Sequence, residues 1–218
     1  MAEFLRGLLM RLGITKDTYI PPMKTLHVLK PKNPIVIIQP PKDTIPWKGV
    51  VIHHTKSSDG VVRDADAIAA YHTSYRVDYV MVSKEEFNRR KAAGEGHKFE
   101  KPWSAVGYHF LIERIGKGIK LVEGRPLNKV GAHAAYGGDS RFNKTHIGLA
   151  VIGDFDKEPP EKTEWEFVLS VVRGLMAAYG FDRNQVIGHR EVYAYFKVPP
   201  EKSCPGALWS MEQMRKEL

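Results

Sequence analysis

Apolar positions recur along the chain at two spacings. Gly49-Val50-Val51-Ile52 is a short unbroken run ending in His53-His54-Thr55, which predicts a buried strand. Residues 147–152 form a second such run, and residues 107–115 and 119–123 predict two strands paired around Gly116-Lys117-Gly118. Helical spacing takes over elsewhere. Phe167, Val168, Val171, Val172, Leu175 and Met176 predict a long helix to about Tyr179, opened by a capping-box pattern at Thr163-Glu164-Trp165-Glu166. A second capping box, Ser83-Lys84-Glu85-Glu86, predicts a helix to Ala93; residues 64–75 and 208–216 predict two more. Strands alternating with helices imply an α/β fold, a single domain with one central sheet.

The first part of the chain reads differently. Pro21-Pro22, Pro31, Pro34 and Pro40-Pro41 predict extended, loop-like chain, with residues 35–38 as an edge strand between prolines. Leu5, Leu8, Leu9 and Leu12 have helical spacing with Arg6 and Arg11 among them. That pattern fits a short helix packed on the domain, or a basic amphipathic helix lying on an anionic cell-envelope surface. Residues 1–45 are therefore read as an N-terminal extension and residues 46–218 as the domain that carries the chemistry. Arg6 and Arg11 interrupt the opening apolar run, so it is not read as a secretory signal. No run approaches the length of a membrane-spanning helix.

The net charge of +8 favours polyanionic partners in general, whether nucleic acid, anionic lipid or cell wall. No nucleic-acid-binding motif accompanies it, so no nucleic-acid partner is expected. The single cysteine, Cys204, excludes an intrachain disulfide and leaves a buried, reactive or metal-ligating thiol. Its neighbours decide. His53 and His189 each follow a predicted strand, and Cys204 sits in Lys202-Ser203-Cys204-Pro205-Gly206. Two imidazoles and a thiolate suit a catalytic zinc ion. Spacing alone favours the plainer readings, core or surface histidines and a small buried cysteine.

Six segments, in order, resemble one family: Val51 to Thr55, Val106 to Phe110, Gly131-Ala132-His133-Ala134, Asn143 to Phe155, Ile187 to Glu191, and Lys202 to Gly206. They are similar to the type 2 N-acetylmuramoyl-L-alanine amidases, which include phage endolysins and the peptidoglycan recognition proteins of animals. The resemblance covers residues 47–218. It implies a central mixed sheet flanked by helices, with Zn2+ in a surface groove. It also implies His53, His189 and Cys204 as metal ligands: the first histidine of the family's His-His-Thr segment binds the metal, which selects His53 over His54, and strand alternation agrees that only one of the two can face it. Tyr108 falls at the family's catalytic or zinc-proximal tyrosine and Lys202 at a lysine of the phage amidases. His133 resembles a substrate-binding groove histidine, although a structural histidine fits nearly as well. Asn143 resembles a loop-fixing asparagine. Arg190 and Glu191 look like supports of a ligand or a structural ion pair.

The implied activity is hydrolysis of the amide between N-acetylmuramic acid and L-alanine in bacterial peptidoglycan. A phage or prophage endolysin is the first choice: monomeric, made in the cytoplasm and reaching the wall after release. A non-catalytic peptidoglycan-binding module and a cytosolic murein-recycling amidase are the alternatives. Where one branch of the family carries a glutamate base, this chain has Leu149-Ala150-Val151, which favours the Tyr108–Lys202 arrangement. The chain also departs from the pattern in a charged stretch between Tyr75 and Trp103, read first as a surface excursion, with a lid or wall of the groove as the alternative. The segment from His189 to Cys204 is long, and its Tyr193, Tyr195 and Phe196 either line a subsite or pack the loop.

Overall fold

The computed structural model describes residues 24–29, 36–57, 64–115 and 118–218. Its centre is a six-stranded mixed sheet in the order β1-β7-β6-β8-β2-β9, built from β1 (Thr25–Leu29), β2 (Gly49–His54), β6 (Phe110–Ile115), β7 (Gly118–Glu123), β8 (His146–Val151) and β9 (Val186–Gly188). β6, β8, β2 and β9 run parallel; at one edge β7 pairs antiparallel with β6, and β1 antiparallel with β7. Every residue of β2 is buried, as expected for a strand covered on both faces.

The period of two along β2 divides its side chains. Val50 and Ile52 face the long helix α4 (Lys162–Tyr179), whose Phe167, Val168, Val171, Val172 and Leu175 join the main core together with Trp209 and Met214. Val51 faces the other way, toward Ile187, Ala134, Phe142 and Val192. On that second face α1 (Ala65–His72) packs Ala65, Ile68 and Ala69 against Leu111 and Val122. His53 shares the second face and His54 the first. α3 (Arg141–Thr145), α5 (His189–Tyr195) and α6 (Met211–Glu217) complete the layers. This is the mixed sheet flanked by helices that the resemblance implies. No described helix is long and apolar enough to cross a membrane.

Three expectations about secondary structure are corrected. Residues 36–38 form no strand; the Val36 N–H donates to Ser170 Oγ of α4 at 3.2 Å, and Val36 joins the main core. The edge strand is β1, read as loop from its flanking prolines. An edge strand is hydrogen-bonded on one side only and tolerates prolines at its ends. Residues 25–29 thus pair with the central sheet through β7, and Val36 packs into the main core. The apolar leucine face at residues 5–12 lies outside the described residues. The capping box at Thr163 is not formed either: the helix starts at Lys162 after an uncapped Glu161, so Thr163 is already inside the first turn. Ser83 does cap α2 (Lys84–Ala93), its Oγ accepting from the Glu86 N–H, while the Glu86 carboxylate binds Arg89 and Arg90.

The charged stretch after Tyr75 folds on itself. β3 (Tyr75–Val77), β4 (Val80–Val82) and β5 (Phe99–Glu100) make a small sheet. α2 covers it, burying Val77, Val82 and Phe87 as a separate cluster. Tyr79, in the turn between β3 and β4, lines a cleft of about 410 Å³ together with Tyr108, so the stretch forms a wall of that cleft.

Glu164, in the first turn of α4, is 1% exposed. Its Oε1 has no hydrogen bond, and Arg114 Nε is 3.8 Å away. Burial outweighs the arginine and raises its pKa from 4.5 to about 7. The folded state therefore favours the protonated acid. That stability is fully present below pH 4.5 and is lost as pH rises through about 7. Glu164→Gln should leave stability near the wild-type value at pH 4.5 and raise it by about 3 kcal/mol at pH 8, since each pKa unit is worth about 1.4 kcal/mol. Urea unfolding at the two pH values checks this; an equal difference at both would rule it out.

Candidate active site

The site forms where three chain segments leave the sheet. β2 and β9 are parallel neighbours with Ile52 opposite Gly188, so the next residues, His53 and His189, emerge side by side with ring centroids 4.6 Å apart. Cys204 arrives from the loop before α6, its Sγ 3.7 Å from His53 Nδ1 and 3.9 Å from the His54 carbonyl. The ligand atoms of His53, His189 and Cys204 all lie within 4.8 Å of one another, the one such group of His, Cys, Asp or Glu found among the described residues. Tetrahedral zinc, with bonds of about 2.0–2.3 Å, sets its donors roughly 3.3–3.8 Å apart, so the trio needs little adjustment to close on an ion. His54 is turned to the other face of the sheet, where its Nδ1 accepts from the Phe155 N–H at 3.2 Å.

The loop bearing Cys204 is held at both ends. The Arg190 N–H donates to the Cys204 carbonyl at 2.7 Å. The Arg190 guanidinium donates to the carbonyls of Ser203, Gly206 and Trp209 at 3.0, 2.5 and 2.6 Å. Asp156 accepts from Ser203 Oγ at 2.7 Å and the Ala207 N–H at 2.8 Å. Lys56 approaches the same carboxylate at 3.1 Å. Arg190 thus clamps carbonyls rather than pairing with an acid. Glu191 makes the ion pair instead, binding Arg215 at 2.8 Å and accepting from the Gly188 N–H at 2.8 Å. The roles of Asp156 and Ser203 were not legible in the sequence, because an aspartate in a loop carries no signal until the loop it meets is known.

Burial by itself pushes the Cys204 thiol up to about 12 and His189 down to about 4, and lowers His53 well below 6.5, so it disfavours charge on every member of the trio. A divalent cation reverses that preference, since thiolate and neutral imidazole are its natural donors. The donor set therefore fits zinc.

The other expected site residues gather around the trio. The Tyr108 ring is 5.1 Å from that of His53 and lines the cleft with Thr55, Lys56, Tyr71, His72 and Tyr79; burial pushes its phenol pKa upward. Lys202 is exposed, and its positive charge acts on His53, His189 and Cys204 alike. His133 stands beside His53, its Nδ1 3.0 Å from His53 Nε2; burial lowers its pKa too. Asn143 Oδ1 accepts from the His133 and Ala134 N–H groups at 2.8 and 2.7 Å, fixing the loop. Tyr193 and Phe196 pack on Tyr136, and Tyr195 on Phe142, so these aromatics brace α5 rather than line the cleft.

Comparison with known proteins follows the same outline. The chain is 30% identical over 111 residues to peptidoglycan-recognition protein LB of Drosophila melanogaster, covering 50% of this chain and 41% of that protein. It is 30% identical over 110 residues to the endolysin of Klebsiella phage KP32, covering 50% of this chain and 64% of that one. The match thus spans less than two thirds of either relative. Among solved structures, bumblebee PGRP-SA superposes with a TM-score of 0.51 at 20% identity, over 95% of this chain and 93% of that one. A selenomethionine AmpD derivative superposes with a TM-score of 0.50 at 21% identity, over 84% and 93%. At such identities these two structures show a shared fold. The family model for N-acetylmuramoyl-L-alanine amidase matches residues 43–207, well over half of the sequence and all of the segments that build the site, and the chain belongs to that family.

Proposed function

We propose that this chain is a zinc-dependent amidase that hydrolyses the bond between N-acetylmuramic acid and L-alanine in bacterial peptidoglycan. The convergence of His53, His189 and Cys204 beside an open cleft carries the reading. Three protein donors are the number found in catalytic zinc sites, whereas structural sites use four. When bound, zinc supplies Lewis acidity to the amide carbonyl and to a water, whose pKa it lowers toward about 7.

The chain's own residues supply the rest. Attack on the amide carbonyl places negative charge on its oxygen, and Lys202 offers an exposed cation whose charge reaches His189 and Cys204 to stabilise it. Tyr108 keeps its phenolic proton, because burial raises its pKa, and so acts as a hydrogen-bond donor that orients the carbonyl or the water. The wall formed by Tyr71 and Tyr79 confines the substrate on the Tyr108 side. An endolysin role is the preferred setting, supported by the similarity to a phage endolysin.

The test is digestion of purified sacculi by the full chain, with the new ends identified by mass spectrometry in the presence and absence of chelator. The expected products are free lactyl carboxylates on muramic acid and free L-alanine amines, both suppressed by chelator. Sacculus binding by zinc-loaded protein without new ends would instead make it a binding module, the class suggested by the recognition-protein relatives.

A further inference from the structure

The imidazole of His133 makes two hydrogen bonds, and one fixes the direction of the other. Its Nε2 lies 3.2 Å from the carbonyl oxygen of His146, which can only accept. Nε2 therefore carries the proton. In a neutral ring Nδ1 is then the acceptor, and it lies 3.0 Å from His53 Nε2. His53 must donate from Nε2, which leaves its lone pair on Nδ1, the atom 3.7 Å from Cys204 Sγ. The direction of the whole chain is set by one backbone carbonyl at the start of β8.

The backbone around His133 leaves no room for an alternative. A Cβ on Gly148 would sit 2.5 Å from His133 Cδ2, and a Cβ on Gly131 would also sit 2.5 Å from it. Both contacts are closer than atoms tolerate, so the ring fits in a slot that exists only because these two residues have no side chain. Asn143 holds the backbone of His133 from behind.

We propose that His133 is a positioning residue that fixes His53 in the tautomer whose Nδ1 ligates the metal, and that Gly131 and Gly148 form the slot that brings it there. This rests on the metal-centre reading above. His133 acts through His53 and not on the substrate, unlike the groove histidine it resembles in sequence. Acceptors behind a metal-bound imidazole orient the ring and raise its basicity.

The experiment measures zinc affinity of the full chain by competition with a chromophoric chelator, without any substrate. His133→Leu should weaken zinc binding about 10- to 100-fold. His133→Asn, which keeps an acceptor near the Nδ1 position, should recover most of it. Gly148→Ala should weaken it as well by displacing the ring. Imidazole nitrogen NMR of the unmutated protein gives a second readout, independent of whether any variant folds: His53 should be protonated at Nε2 and His133 at Nε2. Zinc affinity of a folded His133→Leu within twofold of wild type, or a His53 proton on Nδ1, overturns the proposal while leaving the metal centre intact. Wild-type protein that takes up no stoichiometric zinc overturns the metal reading itself, and this one with it.

Discussion

Cys204→Ala should strip the chain of stoichiometric zinc and lower sacculus hydrolysis at least about 10³-fold, because a Lewis-acid metal contributes several kcal/mol and each 1.4 kcal/mol is a factor of ten in rate. The thiol is buried and close to His53 Nδ1, and it belongs to the single cysteine of the chain. His189→Ala should behave the same way. His54→Ala is the internal control. Its ring serves the Phe155 backbone on the opposite face, so that variant should keep its metal even if it loses stability. Elemental analysis of each purified variant decides the matter. One zinc per chain in Cys204→Ala, or loss of zinc in a folded His54→Ala alone, would show that the ligands have been misassigned.

The second large effect is expected without loss of metal. Tyr108→Phe and Lys202→Ala should each retain one zinc per chain and lose about 10²–10³ in turnover, the usual effect of removing one stabiliser of a developing oxyanion. Neither side chain is part of the ligand trio. Tyr108 is held by its ring against His53 and His72, and the Phe variant preserves those contacts while deleting only the hydroxyl. Lys202 is exposed, so its truncation should scarcely alter folding. Single-turnover kinetics on a soluble muropeptide, beside metal analysis, tests both. Near-normal rates in both variants would mean that other groups do this work.

The two assignments differ in how early they were legible. Period two along Gly49–His54 already separates His53 from His54, because adjacent strand residues must face opposite sides of a sheet. The helical spacing behind Trp165 likewise places α4, since its apolar stripe is wide and continuous. Such local patterns depend on backbone geometry alone, so they are written in consecutive residues. The sequence also carried the ligand candidates, as three donor types of the right softness next to predicted strand ends and in a motif.

Other features depend on partners far away in the chain. Whether His53, His189 and Cys204 meet is decided by β2 and β9 becoming parallel neighbours and by Arg190 and Asp156 clamping the loop that carries the thiol. β1 is a strand only because β7 offers it an unpaired edge; its own residues, set between prolines, read as loop. The Thr163 box is not formed because the helix starts one residue earlier, at Lys162, which puts Thr163 inside the first turn. The direction of the His133–His53 hydrogen bond is the extreme case. It is settled by a carbonyl thirteen residues beyond His133 and by two glycines whose missing side chains acquire meaning only when the ring is packed against them. What the sequence by itself determined was therefore what each segment is suited to be. The tertiary structure decided which donors converge, which nitrogen faces the metal and which loops are locked, because these depend on distances between segments that no local pattern encodes.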